Sequence, residues 1–447
     1  MPTSRADVAH LLRRTGFGGT AAQIDSLVSQ DLSTIVDTIL SLPGAPPDTK
    51  PALIGDTSKG FEEWAISWKY WWYNRMISTP APLQEKLTLF WHNHFTSQVS
   101  KVRPDLMYDQ NRLFRANCMG NFRTLTQAMA IQPAMLFYLD NRTNRAGVAQ
   151  ENFARELWEL FMTGVDEYTQ EEVAASARAW TGHTTTDWVT SFVPLTYQFN
   201  AAWHDNGNKT IFGATRNFNG PDVIDWTLDG PKKDTVARFI CSKLWSFFAH
   251  PNPPASVVSA LAAVFTANNW EIKPVLRAMF LRPEFYSDTA KQNLLKNPAE
   301  FIVYALKYSG VPTLNDALVV PVGGTRIHWY DENMGMQLGE PPDVSGWKQN
   351  NYWISMTQFL GRAEFVTWVA RAAADLGLFS TFKTDPTLTP TQMADLAFAQ
   401  FAVEPSAHSR QTLVAFCARH ATAVTGRNEL PYHVTRIVLL SPDFAMA

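Results

Sequence analysis

Apolar residues recur at helical spacing along almost the whole of this 447-residue chain. Separations of three, four and seven residues place them on one face of an α-helix, which that helix buries against its neighbours. The pattern predicts helices in the first half at 5–20, 21–41, 61–78, 82–97, 105–119, 121–138, 148–163 and 169–181. In the second half it predicts them at 221–229, 234–250, 254–267, 270–281, 298–309, 355–376, 390–402, 407–420 and 430–440. An all-α fold, a large multi-helix array, is therefore expected.

Two segments depart from this periodicity. From Thr196 to Gly213 the spacing shifts toward two, and the turn residues Asp205–Asn208 lie in the middle, which predicts one small β-hairpin. The Pro341-Pro342 pair excludes a regular helix, so a long irregular loop is expected near 337–354.

The connections between the predicted helices are short, and none has the composition of a free linker. We therefore expect a single interlocked helical domain over 1–447, with 1–195 and 196–447 as the alternative division. One helix start is marked with particular clarity, because Thr169 followed by Glu172 has the spacing of a capping box. Gly182 is placed to end the same helix.

Composition excludes several classes of protein. The net charge is −3 and the basic residues are spread along the chain, so nucleic acid is not an expected partner. The aromatic run at 61–77 is interrupted by charged residues, and no membrane span is expected. Three widely separated cysteines argue against a disulfide framework and a thiolate metal site. The residues after Met1 lack the pattern of a signal peptide, which favours the cytoplasm unless the protein is trimmed or exported with a partner.

The stretch Phe90–Phe95 carries two histidines. On a regular helix His94 shares a face with the apolar residues, whereas His92 points to nearly the opposite side. Histidines two positions apart cannot chelate one metal ion from such a helix. We interpret His94 as a hydrogen-bonded core residue and His92 as a surface or groove residue, with a ligand or proton-transfer role for either as the alternative.

The stretch Glu151–Leu160 places its polar residues on one arc of the predicted helix. Glu156 and Glu159 share that arc with Arg155, which lies four residues from both Glu151 and Glu159. A solvated stripe of ion pairs is one interpretation. The other is a pair of carboxylates in a cleft, one raised in pKa to act as an acid and the other kept charged by Arg155, as sugar hydrolysis requires.

The hairpin turn carries His204 beside Asp205, with Lys209 across the turn. A polar turn explains these residue types, but a histidine oriented by a carboxylate can also transfer protons near neutral pH. The irregular loop carries Glu340, Asp343 and the aromatic residues Trp347, Tyr352 and Trp353. They either line a cleft or pin the loop to the helices.

These motifs resemble, in order, those of the bacterial family known as domain of unknown function 1800. The resemblance rests on His10–Gly18, Phe90–Phe95, Pro133–Asp140, Glu151–Leu160, Thr181–Gly182, His204–Lys209, Lys296–Glu300 and Pro341–Trp347. His183 stands where the family usually has a tryptophan after the Thr-Gly pair, which changes the expected lining of the cleft there. The resemblance implies a bacterial source and often a neighbouring protein of sulfatase-like type, but it brings no established catalytic residues.

A carbohydrate-active enzyme, a glycoside hydrolase or lyase, is the leading hypothesis, with a polysaccharide or oligosaccharide as partner. Helical arrays with aromatic clefts suit extended sugars, and the chain has 16 Trp residues. The expected catalytic residues are Glu156, Glu159, His204 and Asp205. The expected substrate-binding residues are Arg155, Lys209, Glu340, Asp343, Trp347, Trp353 and His183.

Two alternatives remain open: a non-catalytic glycan-binding, protein-binding or assembly protein, and a metal-dependent enzyme. The second would use His94, His204 or His183 with Glu156 or Asp343. The sequence identifies no cofactor and gives no metal-ligand spacing.

Overall fold

A computed structural model describes residues 4–186, 195–291, 293–311, 327–421 and 424–447 of the chain. Within these ranges the protein forms 22 α-helices and two small two-stranded antiparallel sheets, and 61% of the chain is helical. The expected all-α class is confirmed. None of the helices in the described ranges combines the length and the apolar composition of a membrane-spanning segment.

Ten helices precede the first strand: α1 (Arg5–Thr15), α2 (Ala21–Leu27), α3 (Leu32–Ile39), α4 (Phe61–Ser78), α5 (Pro82–His94), α6 (Pro104–Ala116), α7 (Phe122–Ala130), α8 (Pro133–Tyr138), α9 (Asn152–Glu156) and α10 (Gln170–Ala179). A π-helical turn, Leu157–Met162, directly continues α9.

Twelve helices follow the strands: α11 (Gly220–Asp229), α12 (Lys233–Phe248), α13 (Ala255–Ala267), α14 (Ile272–Phe280), α15 (Pro298–Ser309), α16 (Ile327–Asn333), α17 (Met356–Asp375), α18 (Thr381–Thr384), α19 (Pro390–Gln400), α20 (Ala407–His420), α21 (Val424–Leu439) and α22 (Pro442–Ala445). The irregular segment expected near 337–354 is present between α16 and α17, and contains one 3₁₀ turn at Asn350–Trp353.

The start of α10 follows the sequence signal. Thr169 Oγ1 accepts a hydrogen bond from the backbone of Glu172 (3.2 Å), and the Glu172 carboxylate accepts one from the backbone of Thr169 (3.0 Å). This confirms the predicted capping box, which satisfies two amides that the first helical turn leaves without partners. Gly182 has a positive φ of 83°, as expected of a helix-ending glycine, although α10 already ends at Ala179.

The strands pair differently from the predicted hairpin. Strand β1 (His183–Thr185) pairs with β2 (Tyr197–Phe199), and β3 (Lys209–Ile211) pairs with β4 (Ala214–Arg216). The tight turn of the second sheet is Phe212-Gly213, where both residues have positive φ, as a two-residue type I′ hairpin requires. The predicted turn at 205–208 therefore links two sheets instead of closing one.

Helix α5 lies inside the helical array, and its charged residues are buried with its apolar ones. The Glu85 carboxylate is fully buried and accepts hydrogen bonds from Arg75 (2.7 Å), Arg115 (2.7 and 2.9 Å) and the indole of Trp72 (3.0 Å). Burial alone raises the pKa of Glu85, but the two guanidinium groups hold it below its ordinary value. The charge is stable inside the protein because both carboxylate oxygens are paired.

The burial of α5 also corrects the interpretation of its histidines. His94 is a core residue as expected, and its Nε2 lies 3.0 Å from the carbonyl oxygen of Phe161. His92 does point to another side, but that side is buried too, between Trp72 and Trp347, whose ring centroids each lie 5.5 Å from its own. Burial lowers the pKa of His92 to about 3. His92 is thus a neutral core residue and not a surface residue.

Candidate functional site

The polar arc of the 151–160 segment is built on α9 and the π-helical turn that follows. In that turn the amides of Thr163 and Gly164 both donate to the carbonyl of Trp158, at 2.8 and 3.0 Å. The wider turn changes the direction in which residues after 157 project. Such turns occur frequently at functional sites, because they place side chains where a regular helix cannot.

The ion pairs on this arc are only partly those of a regular helix. Arg155 pairs with Glu151 (3.0 Å), as the spacing of four residues predicts, and also donates to Gln170 (2.7 Å). Glu159 instead accepts a hydrogen bond from the hydroxyl of Tyr168. The predicted pair between Arg155 and Glu159 is therefore replaced, because Glu159 lies within the π-helical turn.

Glu156 is the most unusual carboxyl group of the arc. It is half-buried, and burial raises its pKa above its ordinary value of 4.5. The negative charges of Glu159 and Asp343 raise the pKa further, and Arg155 offsets part of this effect. Since Asp343 belongs to the irregular loop, the fold brings this loop to the polar face of α9.

The acidic loop, residues 338–347, is held against the segment that follows α5. The amide of Val99 donates to the carbonyl of Gly339 (2.9 Å), and the side chain of Gln98 donates to the carbonyl of Pro341. Backbone groups of an irregular segment are thus satisfied by a neighbouring segment instead of by solvent.

Asn93 of α5 fixes the far end of the acidic loop. Its Oδ1 accepts from the amide of Trp347 (2.6 Å), and its Nδ2 donates to the carbonyl of the same residue (3.2 Å). The preceding Gly346 has a positive φ of 81°, and a Cβ there would lie 2.3 Å from Asn93 Oδ1. Only glycine fits this close approach.

Tyr138, the last residue of α8, lies among the acidic groups. Its pKa is raised to about 12, first by burial and then by the charges of Asp343, Glu340 and Glu156. A phenol whose pKa responds to all three charges lies within electrostatic range of each of them. We call Glu156, Glu159, Glu340 and Asp343 the carboxylate cluster.

The members of the cluster differ in their partners. Glu340 accepts from the hydroxyl of Ser100 (2.8 Å), and Asp343 Oδ1 accepts from the amide (2.8 Å) and the hydroxyl of Ser345. Glu156 forms no hydrogen bond or ion pair through its carboxyl group with any other side chain of the described ranges. The carboxyl of Glu156 is therefore available to a ligand.

Lys101 supplies a positive charge beside the cluster. Its ammonium donates to the carbonyl of Tyr138, lies 3.4 Å from Asp140 Oδ2 and stands 5.3 Å from the centroid of the Tyr138 ring. A substrate held at the cluster would therefore lie near both negative and positive groups.

The hairpin residues do not form the expected histidine–carboxylate pair. Asp205 binds the guanidinium of Arg178 at 2.7 and 3.1 Å, and this bond, against the opposing effect of burial, lowers the pKa of Asp205 to about 2. His204 instead has its Nδ1 2.8 Å from the carbonyl oxygen of Thr181. A carboxylate held this firmly by an arginine does not accept a proton near neutral pH.

Lys209 and His183 are buried. The ammonium of Lys209 donates to the carbonyl of Asp205 and to Asn217 Oδ1 (2.9 Å), so it fixes the turn between the two sheets. His183 has its Nδ1 3.0 Å from the hydroxyl of Tyr197. Burial, and then the charge of His204, lower the pKa of His183 to about 4. His183 is therefore neutral at physiological pH.

The two loop tryptophans also belong to the core. Trp347 is 4% exposed and Trp353 is 2% exposed, so neither ring offers an open face to a sugar. They pin the loop to the helices, which was the alternative interpretation of their presence. On β2, by contrast, Tyr197 (36% exposed) and Phe199 (44%) are open to solvent, and we call them the β2 aromatic pair.

The structure thus brings some of the expected site residues together, whereas others interact with different neighbours. The pKa of Glu156 is affected by the charges of Glu159, Arg155 and Asp343. The pKa of Asp205 is affected by Arg178 and Lys209, so the two residues have no charged neighbour in common. Strand β1 nevertheless packs against α8, the helix that ends in Tyr138. The sequence interpretation missed Tyr138 and Lys101 as members of the site, although Tyr138 lies within one of the quoted motifs.

Among the described residues, no group of three or more His, Cys, Asp or Glu side chains is arranged to hold a metal ion. The histidines of the metal hypothesis have other surroundings, since His94 contacts a backbone carbonyl and His183 contacts Tyr197.

Comparison with known proteins identifies the family of the chain. It belongs to the family described as protein of unknown function (DUF1800), whose model matches residues 10–446. The resemblance seen in the sequence motifs is confirmed over nearly the whole chain. No curated protein and no solved structure matches the chain significantly.

Proposed function

We propose that this member of the DUF1800 family is a carbohydrate-active enzyme of the glycoside hydrolase type, with Glu156 as the proton donor. The observation that carries the proposal is the state of Glu156. Its carboxyl group is half-buried, and its pKa is raised by burial and by the charges of two carboxylates, Glu159 and Asp343, the second of which comes from another segment.

Cleavage of a glycosidic bond requires two carboxyl groups with different roles. One is protonated and donates its proton to the leaving oxygen, and the other is charged and acts as a base, a nucleophile or a stabiliser of the developing positive charge. Glu156 has the raised pKa that the first role requires. Asp343, oriented by its two hydrogen bonds from Ser345, is the candidate for the second role.

The remaining groups of the site fit the binding of hydroxyl-rich substrates. Tyr138 stays protonated because its pKa is about 12, so its hydroxyl can donate to a sugar oxygen. Arg155 and Glu340 offer a donor and an acceptor at the edges, and the β2 aromatic pair offers apolar faces on which sugar rings can stack. His204 and Asp205, expected from the sequence to be catalytic, have no catalytic role in this proposal, because Asp205 is paired with Arg178 and His204 with the Thr181 carbonyl.

The charge of the cluster favours hydrolysis over elimination. The cluster has four carboxyl groups, and the neighbouring cations Lys101 and Arg155 are already paired with Asp140 and Glu151, so the site repels anionic chains. Polysaccharide lyases act on acidic sugars, since elimination needs a carboxylate or its ester beside the abstracted proton. A neutral or cationic polysaccharide is therefore the proposed substrate. A neighbouring protein of sulfatase-like type, implied by the family resemblance, stays a prediction.

The test is a panel of neutral, cationic and acidic polysaccharides incubated with the purified protein, with new reducing ends as the readout for hydrolysis and unsaturated sugars as the readout for elimination. On a substrate that is cleaved, Glu156→Gln should lower kcat by about 10²- to 10⁴-fold, the usual contribution of a general acid. The matched control is Glu171→Gln, an exposed glutamate on α10. It should retain full activity.

The pH profile gives a second readout. Since the protonated form of Glu156 is the active one, the rate should fall as the pH rises through its pKa, which lies above 4.5. Glu156→Gln should abolish this descending limb. Binding of a glycan without cleavage would replace the proposal with a non-catalytic glycan-binding protein, and unsaturated products would replace it with a lyase. Activity lost on chelation and restored by a divalent metal would favour the metal-dependent alternative.

A further inference from the structure

A second candidate site is a mostly apolar cavity of about 320 Å³, in contrast to the acidic carboxylate cluster. It is open to solvent on one side and is lined by α1, α2, α3, the turn between α4 and α5, and one side chain of α15. Leu12, Leu27, Ile39 and Leu83 supply aliphatic wall, together with several proline rings. None of the residues that line this cavity belongs to the carboxylate cluster.

Three of the four hydroxyl groups in the wall are already used as donors by the protein, and the fourth, on Thr79, accepts a hydrogen bond from the amide of Ala81 (3.0 Å). Thr15, Ser26 and Thr38 each donate to a carbonyl of their own helix, at 2.7, 2.8 and 2.8 Å. A hydroxyl has one proton, so these three cannot also donate to a ligand. The wall therefore offers few donors apart from the one charged group.

That group is the ammonium of Lys307, the sole charged residue among those described around the cavity. It is partly buried, and no acidic side chain in the described parts of the chain forms an ion pair with it. Burial without such a partner lowers the pKa of Lys307. A buried cation at an apolar wall is costly unless an anion accompanies it.

We propose that this cavity binds a small monocarboxylate with an apolar body, whose carboxylate pairs with Lys307. An apolar cavity of about 150 Å³ accepts benzene, so one of about 320 Å³ has room for roughly a dozen non-hydrogen atoms. A single cation with few accompanying donors suits one negative charge and not a phosphate dianion. A medium-chain fatty acid has the required size, shape and charge.

The probe for the test is decanoate, titrated calorimetrically into the full-length protein, with 1-decanol as its neutral counterpart. Lys307→Met keeps the apolar stem and removes the charge. The control is Lys273→Met, which removes an exposed lysine of α14. The wild type and the control variant should bind decanoate equally, and Lys307→Met should bind it about tenfold to a hundredfold more weakly, the loss expected for a hydrogen bond to a charged group.

Each outcome decides the question. No binding of decanoate to the wild type, or equal binding to the wild type and Lys307→Met, would overturn the proposal. Should Lys307→Met not fold, the comparison of ligands on the wild type replaces it, because decanol lacks the charge that Lys307 would pair. Decanoate must then bind at least about tenfold more tightly than decanol, and equal affinities would refute a role for Lys307.

Discussion

Asp331 gives a sharp test of how the acidic loop is anchored. This residue of α16 is fully buried, and its Oδ2 accepts hydrogen bonds from the hydroxyl of Tyr73 (2.8 Å) and the amide of Leu338 (3.1 Å). The second bond holds the start of the acidic loop. Burial raises the pKa of Asp331 from 3.8 to about 7, although Lys69 and the two hydrogen bonds oppose this shift.

The raised pKa fixes the sign of the pH dependence. Below about pH 3 the carboxyl is protonated in both the folded and the unfolded states and has no effect on the free energy of unfolding. As the pH rises toward 7, the unfolded state ionises first, so the protein loses stability, and the loss is complete above about pH 7. A shift of about three pH units corresponds to about 4 kcal/mol.

Asp331→Asn should remove this loss, because the amide keeps an oxygen acceptor for Tyr73 and Leu338 and cannot ionise. Urea denaturation of both proteins at about pH 4 and about pH 8 measures the effect. Between these pH values the variant should gain on the order of 4 kcal/mol relative to the wild type.

The control for this experiment is Asp395→Asn. Asp395 is exposed and paired with Arg410, and that hydrogen bond holds the pKa of Asp395 below its ordinary value. Its contribution has the opposite sign, since it is present above the ordinary pKa and lost as the pH falls. A stability difference between Asp331→Asn and the wild type that does not change with pH would refute the reasoning.

The other expected effects concern single side chains of the fold. Thr169→Ala removes the cap of α10 and should lower the free energy of unfolding by about 0.5 to 2 kcal/mol, measured from the urea midpoint. An unchanged midpoint would show that the cap contributes nothing. His92→Ala and His94→Ala should both destabilise the protein by a few kcal/mol (about 2 to 4), because both leave cavities in the core. A neutral His92→Ala would contradict its burial among tryptophan rings.

Local signals in the sequence predicted most of the helices. The cap at Thr169 was found because a capping box involves residues only three positions apart. The predicted helix at 121–138 is divided at Gln132, where Pro133 begins α8, and the proline was a signal that could have located this break. No residue type marks the π-helical turn after Glu156, so its effect on the Arg155 ion pairs could not be foreseen.

Features that depend on contacts between distant segments were harder to predict from the sequence. The residues at 205–208 favour a turn, but a local pattern does not reveal which strands pair, and β2 pairs with a strand before it. The two faces of α5 were assigned correctly from helical geometry. The assumption that one face meets solvent was wrong for His92, because neighbouring elements cover this helix on several sides.

In the carboxylate cluster, too, local features were predictable from the sequence and contacts between distant segments were not. That Glu156 and Glu159 lie on one polar face followed from their spacing, and Asp343, whose charge acts on Glu156, was among the expected site residues. The ion pair of Asp205 with Arg178 and the burial of Lys209 depend on tertiary contacts. The sequence gives the spacing of neighbours but not the partner of a charged side chain.

The cluster is assembled from segments that are far apart in the chain, as the contact between Ser100 and Glu340, 240 positions apart, illustrates. During translation Glu156 and Glu159 leave the ribosome long before Asp343 is synthesised. At 5 to 20 residues per second the interval is roughly 10 to 40 s. Throughout that time the nascent chain contains two of the four carboxyl groups of the cluster, and the acidic loop that supplies the other two is missing. If the proposed function is correct, a chain stopped before residue 338 should therefore be inactive even where its first helices have folded.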